Sequence, residues 1–131
     1  MTLEANRTSS PSLLAEGNRL GQKTANTILV VEDIAEIALH MKRRLIERGY
    51  EVIWAQAAED AIQIAEQSSP TIILTDLDLP AFDSLLELVS QHRDLKKLPV
   101  AVLDINHVDL NDGRVRVLPD FDALDNFVHS L

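Results

Sequence analysis

Apolar positions along this chain follow two rhythms that take turns. Ile28–Val31 is a continuous aliphatic run closed by Glu32-Asp33, the pattern of a strand buried on both faces. Ile37, Met41 and Leu45 then recur at helical spacing, and Gly49 is the stop signal. The alternation repeats: Glu51–Ala55 predicts a second strand and Ala58–Gln67 a second helix, with Pro70 punctuating its exit. Thr71–Thr75 predicts a third strand running into Asp76, and Ser84–Arg93 a helix with Leu85, Leu88 and Val89 on one face. Val100–Leu103 and Val115–Leu118 are strands four and five. Leu124, Phe127, Val128 and Leu131 stand at i, i+3, i+4 and i+7 of a closing amphipathic helix. Such alternation implies a parallel sheet with helices on both faces and right-handed crossovers.

Two segments break the rhythm. Residues 1–26 are rich in Ser, Thr, Asn and Gly with few apolar positions, which predicts a flexible arm ahead of one domain over 27–131. The crossover 104–114 has eleven residues, near the lower limit of about 10–12 for a parallel connection, and is full of Asn, Asp and Gly. A loop or single turn is expected there in place of a fourth helix. Such a gap should uncover apolar surface on strands four and five, a face for a partner or for a homodimer. No output domain is expected after the last helix.

Composition narrows the chemistry. With 131 residues, 46% of them hydrophobic, one soluble domain is expected. No cysteine is present, and His40, His92, His107 and His129 lack ligand spacing, so zinc is not indicated. A net charge of −9, with Lys42-Arg43-Arg44 as the basic run, argues against nucleic-acid binding. No stretch reaches membrane-spanning length, and a cytoplasmic protein is the default. Trp54 and Tyr50 are expected to pack near the second strand, and Lys96 and Lys97 to be solvated.

The acids carry the functional signal. Strand one ends in Glu32-Asp33, strand three in Asp76 with Asp78 beyond, and strand four in Asp104. Ligands of open parallel sheets bind outside the carboxyl ends of the strands, and in the flavodoxin-like order 2-1-3-4-5 these three strands are neighbours. Unit charges about 4 Å apart repel by roughly 4 kcal/mol at a near-surface effective dielectric. The group must therefore bind a cation or take up protons, and oxygen donors alone suit Mg²⁺ before Mn²⁺ or Ca²⁺. Acids also end strands as turn formers, but three strands ending so favour a site.

These residues resemble a known family. ILVVED, TIILTDLDLPAFDS and LPVAVLD are similar to the bacterial two-component receiver domain, and the likeness covers residues 27–131. The resemblance implies that Asp76 is the phosphoacceptor, that Asp33 ligates Mg²⁺ directly and Glu32 through water, and that the backbone carbonyl of Asp78 completes the site. It implies a histidine kinase or phosphotransfer protein as phosphodonor, and a downstream protein partner that the sequence does not name.

The departures from the family matter as much. Asp104 stands where receivers carry the Thr or Ser of the switch, and an ionised carboxylate cannot donate a hydrogen bond to a phosphoryl oxygen. Leu118 stands before Pro119 where receivers carry a Lys, whose charge-assisted bond would contribute about 1.5–3 kcal/mol. Ser84 replaces a usual Gly. Two readings follow: an atypical stand-alone receiver that accepts phosphate at Asp76, or a pseudo-receiver serving as a phosphorylation-independent interaction module. A third, a haloacid-dehalogenase-like phosphatase, draws on the Asp76-Leu77-Asp78 triplet, but that family places its motif on the first strand.

Overall fold

The computed structural model describes residues 26–76, 82–103 and 113–131. Five strands alternate with four helices among them: β1 (Thr27–Val31), α1 (Ala35–Glu47), β2 (Glu51–Ala55), α2 (Ala58–Ser68), β3 (Ile72–Thr75), α3 (Phe82–Gln91), β4 (Val100–Leu103), β5 (Val115–Leu118) and α4 (Phe121–His129). The strands form one parallel sheet in the order β2-β1-β3-β4-β5. This is the flavodoxin-like arrangement expected from the alternation.

Successive strand residues face opposite sides, so each central strand serves two cores. Leu29, Val31, Ile73 and Val100 pack with Ala61, Ala65, Leu85 and Val89 of α2 and α3. Ile28, Val30, Ile72 and Leu74 pack on the other side with Leu45 of α1 and with Leu124 and Val128 of α4. Burial on both faces explains why β1 and β3 read as unbroken apolar runs. The edge strands β2 and β5 keep exposed polar positions, Glu51 and Arg116.

Helix ends are set locally. Gly49 takes φ +93° after α1, a left-handed conformation that a Cβ would strain, and its N–H returns to the Ile46 carbonyl. Asp120 caps α4 by accepting from the Ala123 N–H at 2.8 Å, a contact that typically contributes about 1 kcal/mol.

Several expectations shift. The third helix begins at Phe82 and ends at Gln91, because the His92 N–H turns back to the Val89 carbonyl and starts a run of turns. Leu131 is 59% exposed rather than on the buried face of α4, since that helix ends at His129. Strand four is not laid bare: Val100 and Val102 are buried, and on the edge strand Val115 and Val117 are half-buried. The side chains of α3 and the turn before β4 already cover the first of these. The expected arm lies outside the described residues except for Asn26, whose carbonyl accepts from the Glu51 N–H. The short crossover lies outside them except for Gly113 and Arg114, which form a turn.

Candidate functional site

Strand register brings the acids together. Val31 pairs with Thr75 across β1 and β3, so the next residues, Glu32 and Asp76, emerge side by side from neighbouring strands. Thr75 pairs in turn with Val102, which sets Leu103 level with Asp76. The rim therefore gathers residues from separate parts of the chain because parallel strands all end on one side.

Glu32 is the unusual member. It is 4% exposed, and its Oε2 accepts from the Ile34 N–H at 3.1 Å. Burial pushes its carboxyl above the usual range; the Ile34 hydrogen bond pulls it down, while the Asp33 side chain and the Asp76 charge push it up again. Glu32 is thus near enough to feel both Asp33 and Asp76. Asp33 is exposed, and Asp76 is half-buried.

A cavity of about 100 Å³ opens beside the two strand ends. Glu32, Thr75 and Asp76 supply its polar wall, and Ile37 and Met41 of α1 face Leu103 across it. No Lys or Arg lies among the described residues lining it. Thr75 donates its hydroxyl to the Val31 carbonyl at 3.3 Å, tying the two strand ends. Trp54 Nε1 donates to the Glu32 carbonyl at 2.7 Å and pins the acidic turn from the edge strand.

Among the described residues, no three His, Asp or Glu side chains form a ready-made metal cage. Such a cage is what Ca²⁺ favours; Mg²⁺ keeps several waters and is commonly held by one or two carboxylates.

Comparison with known proteins fixes the family. The profile of the response regulator receiver domain matches residues 28–118, well over half of the chain. The chain belongs to that family. As a receiver domain it is a module of two-component signalling. It is 36% identical over 77 residues to the alkaline phosphatase synthesis transcriptional regulatory protein PhoP of Bacillus subtilis (strain 168). That stretch is 58% of this chain and 32% of the regulator, so the likeness spans about a third of the relative's length. In structure it is similar to the signal receiver domain of a signal transduction histidine kinase from Syntrophus aciditrophicus, with TM-score 0.62, 25% identity and coverage of 81% of this chain and 89% of that one. The fold is also that of the chemotaxis response regulator CheY4 of Vibrio cholerae, with TM-score 0.67, 20% identity and coverage of 82% and 100%.

Of the residues singled out in the sequence, the receiver domain brings Glu32, Asp33 and Asp76 to one rim. Asp78 and Asp104 lie outside the described residues. Leu118 is buried against Leu124 and Val128 in the core under α1 and α4. Sequence reasoning missed Thr75 and Trp54 as members of the site. A polar residue closing an otherwise apolar strand was the available signal for Thr75; nothing in the sequence marks the bond from Trp54 to Glu32. Among the described residues no helix is long and apolar enough to cross a membrane.

Proposed function

We propose that this receiver domain is a phosphoryl-accepting signalling module, not an enzyme with turnover, and that Asp76 is the acceptor. The observation that carries the reading is that the buried Glu32 lies beside both Asp33 and Asp76 at the ends of β1 and β3, at the mouth of a cavity. An Asp76 carboxylate oxygen attacks phosphorus, the bond from phosphorus to the donor's imidazole nitrogen breaks, and an acyl phosphate results. A histidine kinase or phosphotransfer protein is the proposed donor, and the cytoplasm the proposed compartment.

The donor set fits Mg²⁺: all oxygen, strongly negative, with one acid whose burial makes its charge costly. Asp33 and Asp76 would hold the ion, Glu32 would reach it through water, and the Asp78 carbonyl would complete the set. Bound there, the ion supplies positive charge that offsets repulsion between carboxylates and phosphoryl oxygens. Glu32 is held in place by the Ile34 N–H and by Trp54 on its own carbonyl, so its carboxyl is positioned before any ion arrives.

A second reading has its own support. Leu118 is packed into the core, so the position before Pro119 offers no cation to a phosphoryl group. That favours a pseudo-receiver that works by interaction alone, and Asp104 at the switch position favours it too. Intact mass after incubation with a small acyl phosphate and Mg²⁺ separates the two. A labile phosphoryl adduct on the wild type that is lost in Asp76→Asn is the expected result. An unmodified wild type under forcing conditions rejects phosphoryl acceptance in favour of the interaction module.

A further inference from the structure

Helix α1 packs over β1 and β2 and turns Arg44 and Arg48 toward α4, where their guanidinium carbons lie 4.9 and 5.3 Å from the Phe121 ring centre. Leu39 and Ile46 stand roughly 140–160° round the helix from Arg44, so they share a stripe on the side away from α4, about 10 Å apart along the axis. They are 50% and 51% exposed. Trp54, on the neighbouring edge strand, is 40% exposed and faces the same side of the sheet as Val52, which packs with the core under α1. Single exposed aliphatics are ordinary, but three large side chains along one flank form a patch of the kind that takes a partner.

Charge says which partner fits. Glu36, Arg43 and Glu47, all exposed, follow one another along the outer border of the stripe with alternating sign, and exposed Lys42 lies on its inner border. None of the four has an ion pair among the described residues. An acidic segment would meet Glu36 and Glu47, and a basic one would meet Lys42 and Arg43. A border of alternating sign is instead complementary to a reversed copy of itself. We propose that this flank of α1 pairs antiparallel with the same flank of a second copy of this chain, about a two-fold axis between Lys42 and Arg43. Leu39 of each copy then meets Ile46 of the other. Arg43 comes within about 8 Å of axial rise of Glu47 across the axis, a span that the two long side chains can bridge. The two Lys42 ammonium groups face each other and oppose the contact, which keeps the dimer weak. Because the acidic rim precedes the start of α1, the two rims end up at opposite ends of the pair and both stay open.

Sedimentation equilibrium of the full chain tests the pairing, with circular dichroism to confirm that each variant is folded, as substitution at exposed positions should leave it. Wild type is expected to show a reversible monomer–dimer equilibrium. Leu39→Ala/Ile46→Ala keeps good helix formers at both positions and should shift the protein to monomer. Arg43→Glu and Glu47→Arg should each weaken the dimer by about tenfold, since two attractions become repulsions. An equimolar mixture of these two variants should recover dimer that neither forms alone, because the reversed charges then face opposite partners. Lys42→Gln should tighten the dimer by relieving the repulsion at the axis. A single monomeric species up to about 1 mM overturns the proposal. So does a mixture that associates no better than its components, or a dimer that Leu39→Ala/Ile46→Ala leaves intact. None of these readouts depends on phosphoryl acceptance at Asp76, so failure here is distinct from failure of the proposed function.

Discussion

Two clusters of carboxylates in this domain have opposite fates. On α4, Asp122 and Asp125 are answered by the protein itself: Arg48 Nη1 lies 3.1 Å from Asp122 and 2.5 Å from Asp125, and the Tyr50 hydroxyl donates to Asp125 at 2.5 Å. The guanidinium of Arg48 also lies 5.3 Å from the Phe121 ring centre, and that of Arg44 lies 4.9 Å from it. At the strand ends, Glu32 interacts with the Asp33 side chain and the Asp76 charge, and the described wall of the cavity beside it has no Lys or Arg. The first cluster is a clasp that fastens α4 to the end of α1 and the start of β2. The second has a buried carboxyl, Glu32, whose ionisation is disfavoured by burial and by its acidic neighbours, a perturbation of the kind that collects at functional sites. Counting acids would not tell the two apart; their partners do.

The largest effect expected from breaking this contrast falls on the clasp. Tyr50 is 7% exposed, so Asp125→Ala leaves a buried hydroxyl without that acceptor, a loss of about 2 kcal/mol. The exposed contact to Arg48 adds little. Urea unfolding should show that loss in the midpoint, while Mg²⁺ binding and the phosphoryl adduct persist. If Asp125→Ala removed Mg²⁺ binding from a folded protein, the two clusters would not be separate.

A smaller effect is expected at the rim, and it has the opposite sense. Because the native Glu32 carboxyl titrates above its ordinary value of 4.5, the folded state holds that proton more firmly than the unfolded chain. Its contribution to stability is full below the ordinary value and is lost as pH rises through the native one. Metal-free protein should therefore gain from Glu32→Gln at neutral pH and not at acid pH. Thermal melts across that range check it; a neutral-pH loss in the variant would contradict the burial argument.

Much of this was legible in the sequence, for identifiable reasons. Strand limits at Glu51–Ala55, Val100–Leu103 and Val115–Leu118 agree with expectation because short aliphatic runs bounded by polar or turn residues have few alternatives. The convergence of Glu32, Asp33 and Asp76 followed from strand order, since parallel strands end together. Partners were not legible. Tyr50 and Asp125 are 75 residues apart in the chain, and neither belongs to a motif that would join them. Trp54 was read as packing near the edge strand; it is 40% exposed and spends its N–H on Glu32. Ile37, assigned to the apolar face of α1, is 41% exposed because it lines the acidic cavity instead of the core. Lys96 and Lys97 are exposed, as expected of charged residues in the turn before a buried strand.

That same Trp54 gives the most direct test of the central claim, that the acids at the strand ends need a cation. It is the sole tryptophan of the chain, and its indole N–H bonds the backbone of Glu32. Titration with Mg²⁺ should change its fluorescence saturably in wild type, with the change lost in Asp33→Asn and kept in Asp125→Ala. Unaltered emission, together with no heat of Mg²⁺ binding by calorimetry, would contradict the account.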